Sequence, residues 1–495
     1  MQQQQQDRLL VVTHHLPWVS TIKGFIHKHS TSVSTLPRSI ARRILPPSPP
    51  SVPESPYCEF STRRGHSALY SGIRSIQNFE TVVHIGWPGP ILDDKDAPFD
   101  AFKLPDHLKQ LLAETLEQEK NCIPVIYPDS MSSGHYENYC KSKLWPIFHY
   151  QLWEFGNNGN ENHDWNAYVQ VNQCFADAII RNYKPGDIIW IHDYHLLLVP
   201  SMVRKSLPQA SIGFFLHTPF PSSELFRCLP KRKEILTGVL GANLIGFQTY
   251  SYARHFISSC VRVLGCESSP KGIEYHGFSI TIGIFPIGVD VKRANERRKS
   301  NVVLEKIAVI RNMYAGKHII FGRDRLDHMK GIQHKLAAFE KFLILYPEFQ
   351  NKVVLIQVTS PSLRDHPKLE AKVSEIVSRI NGNFGSLEFV PVHHYHQSTI
   401  FYLVFFSYYL DLDMDDYFAL LSTADIGLIT STRDGMNTTS HEFVICQEEN
   451  HGSLILSEFT GTAGSLSAAI LVNPWDYVVS LFLLAETAGC SEFHL

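Results

Sequence analysis

Arg325 and Lys330 follow the apolar run His318–Phe321 within a few residues of each other. Two cations at the carboxyl end of a buried strand can neutralise a diphosphate leaving group through charge-assisted hydrogen bonds. The bland reading is a surface cluster in which they pair with Asp324 and Asp327. A second polar stretch, Ser431–Glu442, places Asp434, Gly435, Met436 and Asn437 before Thr438 and Thr439 at an apparent helix start. Free N–H groups there suit a phosphate, and Glu442, one turn further on, can accept hydrogen bonds from ribose hydroxyls. Thr439 and Glu442 fit a capping box equally well, in which case both only close the helix N-terminus.

In the N-terminal half, Asp193 and His217 each follow an apolar run. Adjacent strands would bring them to one sheet edge, where a carboxylate and an imidazole can orient sugar hydroxyls. His192, Asp193 and His195 are also conceivable metal ligands. Strand alternation sends neighbours to opposite faces, so no metal is expected, and His393, His394 and His396 read the same way. Trp87, Tyr136, Trp145 and Tyr150 can stack on a sugar or bond its phosphate through their polar tips, although core packing is the commoner fate of such residues.

Only strands in register can hold these groups together. From residue 79 onward, short continuously apolar runs alternate with longer helix-like segments, the pattern of parallel strands covered on both faces by helices. Strands are predicted at Thr81–Gly86, Asp187–His192, Ser211–His217, Leu244–Phe247, His318–Phe321, Val353–Val358, Leu387–Val392, Ile426–Thr430, Leu454–Leu456 and Ile470–Val472. These are too many for one compact doubly wound domain. The charged segment Val291–Ser300 divides them into two Rossmann-like units, 79–290 and 300–477, of an α/β protein whose site lies between the halves. Residues 1–78 hold a strand-like Leu9–Val12 and a Pro-rich stretch, 37–56, that reads as a loop; 478–495 form an atypical tail.

Composition narrows the partners. With 495 residues and a formal net charge of -3 there is no electrostatic footprint for nucleic acid. The nine cysteines are scattered and never spaced C-x-x-C, which argues against a disulfide framework or a zinc cage and for the cytoplasm. The most lipid-like stretch, Phe401–Leu410, is about half the ~20 residues a spanning helix needs, so no membrane anchor is expected. Arg38, Arg42 and Arg43 have import-like composition, but the upstream apolar strand argues against a transit peptide. The chain has no G-x-G-x-x-G opening a helix after its first strand and no P-loop string, which weakens hydride-transfer and ATPase readings.

Over roughly residues 79–476 the chain resembles the trehalose-6-phosphate synthase family, its fungal members especially. The runs that carry the resemblance are Leu144–Tyr150, Ile189–Pro200, Phe214–Glu224, Tyr252–Phe256, Phe285–Val291, Asp324–Gly331, Ser431–Asn437 and Gly452–Gly461. The resemblance implies a GT-B architecture, two Rossmann-like domains facing across a cleft. It also implies transfer of glucose from UDP-glucose to glucose 6-phosphate with retention, giving α,α-trehalose 6-phosphate and UDP, with no cofactor and no metal needed for chemistry. Carried over, Arg325 and Lys330 hold the UDP phosphates, Glu442 the ribose, and the backbone at Thr438 and Thr439 the nucleotide. Asp193 and His217 contact the transferred glucose, with Asp434, Gly435, Met436 and Asn437 at its hydroxyls. Trp87, Tyr136 and Trp145 line the acceptor pocket. Partners are the two substrates, with other trehalose synthase subunits or a second copy as further candidates.

The departures gather on the acceptor side. His15 stands where the family binds acceptor phosphate with an Arg, a second acceptor-side Arg is displaced by one residue to Arg364, and a glycine pair is replaced near Ser67–Leu69. An apolar insert covers Ile400–Met414, and after Trp475 the family's final helices are absent. Two alternatives therefore stand beside the synthase: an impaired, regulatory synthase-like subunit, and a related GT-B transferase with another acceptor.

Overall fold

A computed structural model describes residues 8–24, 56–63, 67–76, 78–152, 161–360, 367–396 and 413–476. Among these, a nine-stranded sheet runs in the spatial order Glu267–Ser269, Gly272–Tyr275, Phe278–Ile284, Leu244–Phe247, Ser211–Leu216, Ile188–His192, Arg8–His15, Thr81–Trp87 and Cys122–Pro124. Its last seven strands are all parallel, and the first two extend it as an antiparallel meander. Residues before 79, set apart on composition, thus supply an interior strand: Leu10, Val11 and Val12 have no exposed surface and pair with Thr81–Trp87 on one side and Ile188–His192 on the other. Burying each such side chain contributes about 1.5–3 kcal/mol.

The second sheet has six parallel strands in the order Val392–His396, Val353–Ser360, His318–Arg325, Ile426–Ile429, Ser453–Ser457 and Ile470–Val472. Numbered by sequence within the sheet this is 3-2-1-4-5-6, and the parallel part of the first sheet begins the same way. Such sheets bind ligands where the order reverses, at the carboxyl ends of the strands. The reversals fall between Arg8–His15 and Ile188–His192 in one sheet, and between His318–Arg325 and Ile426–Ile429 in the other. A small four-stranded sheet, Tyr57–Thr62, Trp18–Lys23, Ile91–Leu92 and Pro98–Phe99, packs beside the first.

Two expectations are corrected. The run Leu387–Val392 is not a strand: Leu387 is exposed, and the strand is the edge segment Val392–His396, whose histidines are only partly buried. Within the dividing segment Val291–Ser300, Val291–Arg298 is a helix capped by Asp290, with Ala294 in the same buried cluster as Val303 and Phe443. The apolar insert ends sooner than Met414: Asp413 caps the helix Met414–Thr423, its Oδ1 accepting from Asp415 N–H and Asp416 N–H at 2.8 and 2.7 Å. Residues 397–412, the Pro-rich stretch up to 55 and the tail from 477 lie outside the described residues.

Candidate active site

Asp193 immediately follows the strand Ile188–His192 and adopts φ 71°, ψ 170°. That region is nearly reserved for glycine and costs a carboxylate-bearing residue about 1–3 kcal/mol. What holds it is the neighbouring strand: Asp193 N–H donates to Phe215 O at 2.8 Å, and His217 N–H donates to Asp193 Oδ1 at 3.3 Å. Asp193 and His217 therefore do meet at one sheet edge. Burial raises the Asp193 carboxyl to about 6 and lowers the His217 imidazole to about 4. At neutral pH the pair is an ionised acceptor beside an uncharged imidazole, suited to sugar hydroxyls. His217 Nε2 also lies 3.1 Å from His192 Nδ1. Among the described residues no three His, Cys, Asp or Glu side chains form a metal-binding group.

The aromatic residues gather beside this edge. The His15 ring lies 5.0 Å from Trp87 and 5.4 Å from Tyr136, in edge contact with the latter, and Tyr70 OH donates to His15 O at 2.8 Å. His14 Nδ1 and His15 Nδ1 are 2.9 Å apart. Trp145 lies further along and faces the other domain, where the Arg325 guanidinium carbon is 5.3 Å from its ring. Arg364 falls outside the described residues.

On the opposite side, Arg325 is the last residue of the strand His318–Arg325. The surface-cluster reading does not hold. Asp324 turns inward to Lys335 at 2.7 Å, Asp327 caps Met329 N–H, and Lys330 Nζ reaches Asp434 Oδ2 at 2.6 Å. Asn437 Nδ2 donates to the same Asp434 oxygen at 3.2 Å. The capping box fails too: Asn437 Oδ1 accepts from Ser440 N–H at 2.9 Å and closes the helix Thr438–Cys446, leaving Thr438 and Thr439 in its first turn. Glu442 instead accepts from Tyr417 OH at 2.5 Å, and burial raises its carboxyl. Arg323 lies over the other partner, 4.4 Å from the Tyr417 ring.

Backbone contact joins the halves. A Cβ on Gly435 would come within 2.1 Å of His217 O, so only glycine lets the Asp434–Asn437 loop approach the Asp193 edge this closely. Tyr252 OH completes the contact by donating to Asp434 O at 3.0 Å. Sequence reasoning missed Tyr252, Tyr417, Arg323 and the buried Lys141. The first three act through residues distant in sequence, and Lys141 meets Tyr136 and Trp145 through a helical pitch that no local spacing marks.

Residues 51–480 match glycosyltransferase family 20. The chain belongs to that family. A UDP-forming α,α-trehalose-phosphate synthase of Yarrowia lipolytica is 45% identical over 420 residues, covering 82% of this chain and 83% of the relative. The 56 kDa subunit of the Saccharomyces cerevisiae synthase is 43% identical over 416 residues, covering 82% and 78%. Among solved structures, the N-terminal domain of a Candida albicans trehalose-6-phosphate phosphatase aligns with TM-score 0.79 and 39% identity over 99% of this chain and 91% of that one. An Escherichia coli structure bound with UDP-2-fluoro glucose aligns with TM-score 0.73 and 25% identity over 98% and 92%. The two Rossmann-like sheets of this family 20 chain make the GT-B architecture. No helix among its described residues is long and apolar enough to cross a membrane.

Proposed function

We propose that this family 20 protein transfers glucose from UDP-glucose to glucose 6-phosphate, forming α,α-trehalose 6-phosphate and UDP. The observation that carries the reading is the meeting of the two switch points: Arg325 ends a strand of one sheet against Trp145, and Lys330 just beyond it holds Asp434, whose loop packs against His217 beside Asp193 at the edge of the other. The bond from glucose C1 to the diphosphate oxygen breaks while the acceptor hydroxyl attacks from the same face, and the departing oxygen takes the hydroxyl proton. Arg325 and Lys330 meet the charge that develops on that oxygen. Asp193, His217 and the Asp434–Asn437 loop orient the glucose, Glu442 takes the ribose, and the first-turn N–H groups at Thr438 and Thr439 take the nucleotide. Orientation and electrostatics carry the reaction, and the proposal includes no metal and no cofactor.

The reading places the acceptor against His15, Trp87, Tyr136 and Trp145. Relatives in Saccharomyces cerevisiae and Kluyveromyces lactis are named as 56 kDa subunits, which supports assembly with further synthase-related chains. The eight described cysteines are all free thiols, which supports a reducing, cytoplasmic setting. The test is UDP release from UDP-glucose with and without glucose 6-phosphate, with mass detection of a disaccharide phosphate. Release that does not depend on glucose 6-phosphate would sink the proposal. One observation favours the regulatory alternative, since a matching structure is the N-terminal domain of a phosphatase. UDP binding without turnover in the same assay selects it.

A further inference from the structure

Lys141 belongs to Ser133–Leu144, which is wound as a π-helix and ends with Trp145 N–H donating to Cys140 O. An i→i+5 pitch aligns residues five apart, so Lys141 lies over Tyr136. Its Nζ is 5.0 Å from the Tyr136 ring centroid and 5.0 Å from that of Trp145. The residue is only 9% exposed, and its ammonium has no hydrogen bond or ion pair among the described residues. The groups around it are Arg325 from the opposite domain, and Cys140, Glu137 and Asp193 from its own. Arg325 touches the same Trp145 ring and likewise has no ion pair among the described residues. Two cations thus converge on one aromatic wall. An unpaired buried charge is costly, and an anion seated against each cation offsets that cost.

We propose that Lys141 is a specificity-determining residue whose ammonium binds the phosphate monoester of the acceptor. This rests on the function proposed above. The Tyr136 ring ties Lys141 to the acceptor side: Lys141 covers its face, and His15 meets its edge. The donor diphosphate already has Lys330 and Arg325 on its own domain, which leaves Lys141 for the acceptor.

The experiment titrates glucose 6-phosphate and unphosphorylated glucose calorimetrically into wild type, Lys141→Met and Lys141→Arg, with UDP-induced thermal stabilisation measured separately. Losing a charge-assisted hydrogen bond corresponds to roughly a 10- to 100-fold loss in affinity. Lys141→Met should weaken glucose 6-phosphate by that factor, leave glucose and UDP unchanged, and melt no lower than wild type when ligand-free; Lys141→Arg should retain binding. Glucose 6-phosphate affinity within about twofold of wild type in Lys141→Met overturns the proposal. So does loss of the UDP effect with acceptor binding retained, which moves Lys141 to the diphosphate, or a lower ligand-free melting temperature in both variants, which makes it a packing residue. A wild type that UDP fails to stabilise counts against the function proposed above, while the acceptor affinities still score Lys141.

Discussion

Lys330 Nζ lies 2.6 Å from Asp434 Oδ2, so the cation beyond the first strand of the C-terminal sheet is tied to the loop after its fourth strand, across the switch point. Both side chains are mostly buried, at 16% and 12% exposure. Breaking the pair then costs more than a surface ion pair and less than a fully buried one, about 2 kcal/mol. Arg325 has no such partner among the described residues. Saturating UDP at about 100 times its Kd stabilises a binding protein by about 2.7 kcal/mol. Arg325→Ala should lose most of that shift while its ligand-free melting temperature stays near wild type, whereas Lys330→Ala should lower both. Differential scanning fluorimetry with and without UDP checks this, and equal UDP shifts in wild type and in the double variant would remove both cations from the nucleotide site.

Asp193 should give the low-pH limb of activity. Burial raises its carboxyl to about 6, so the ionised form that accepts hydrogen bonds from sugar hydroxyls disappears as pH falls through that value. His217, lowered to about 4 by burial, stays neutral across the same range. The effect on stability has the opposite sign. An acid whose folded-state pKa is raised contributes stability that is complete below about 4 and lost as pH rises through about 6. Asp193→Asn should therefore melt at or above wild type at pH 7–8 and lose turnover. A kcat/KM profile flat from pH 5 to 8 in wild type would detach Asp193 from the reaction.

The parallel strands were legible because a strand buried on both faces carries a continuous apolar run, as Val353–Ile356 does within Val353–Ser360, where seven of the eight residues are buried. Leu387–Val392 misled for the same reason in reverse: an apolar-looking run sits outside the sheet, while the true edge strand carries three histidines and needs only one covered face. The strand-end positions of Asp193, His217 and Arg325 were legible because each ends or directly follows an apolar strand. Their partners were not. Asp434 reaches Lys330 from 104 residues away, Tyr417 reaches Glu442 from the preceding helix, and Lys141 shares a face with Tyr136 only through a pitch that helical periodicity does not anticipate.

Glu442 tests the nucleoside end. Its carboxylate accepts from Tyr417 OH at 2.5 Å and is raised by burial, so one oxygen is already engaged and the other remains for a ribose hydroxyl. Glu442→Gln keeps the shape and the Tyr417 contact but weakens acceptance by removing the charge. UDP affinity should fall roughly tenfold, the lower end for hydrogen bonds to a charged group. Uracil-free diphosphate lacks the ribose, so inorganic pyrophosphate should bind both proteins alike. Equal UDP affinities by calorimetry would leave Glu442 with only its link to Tyr417.

The alkaline limb belongs to Lys141. Burial, with Arg325 adding repulsion and Cys140, Glu137 and Asp193 opposing it, lowers its ammonium to about 8. A lysine with a depressed folded-state pKa contributes stability that is full above about 10.4 and lost as pH falls through about 8. The ligand-free protein therefore bears the charge at a cost at neutral pH, and acceptor phosphate is what offsets it. The phosphate monoester is a dianion above its second pKa near 6, so from pH 7 to 9.5 only the protein's side of the contact titrates. Glucose 6-phosphate affinity should weaken as pH rises through about 8 in wild type. The limb should vanish in Lys141→Arg, whose guanidinium stays charged, and the affinity should be uniformly low in Lys141→Met. Calorimetry across that range checks all three, and a wild-type profile that superimposes on the Lys141→Arg profile would show that the ammonium does not face the phosphate.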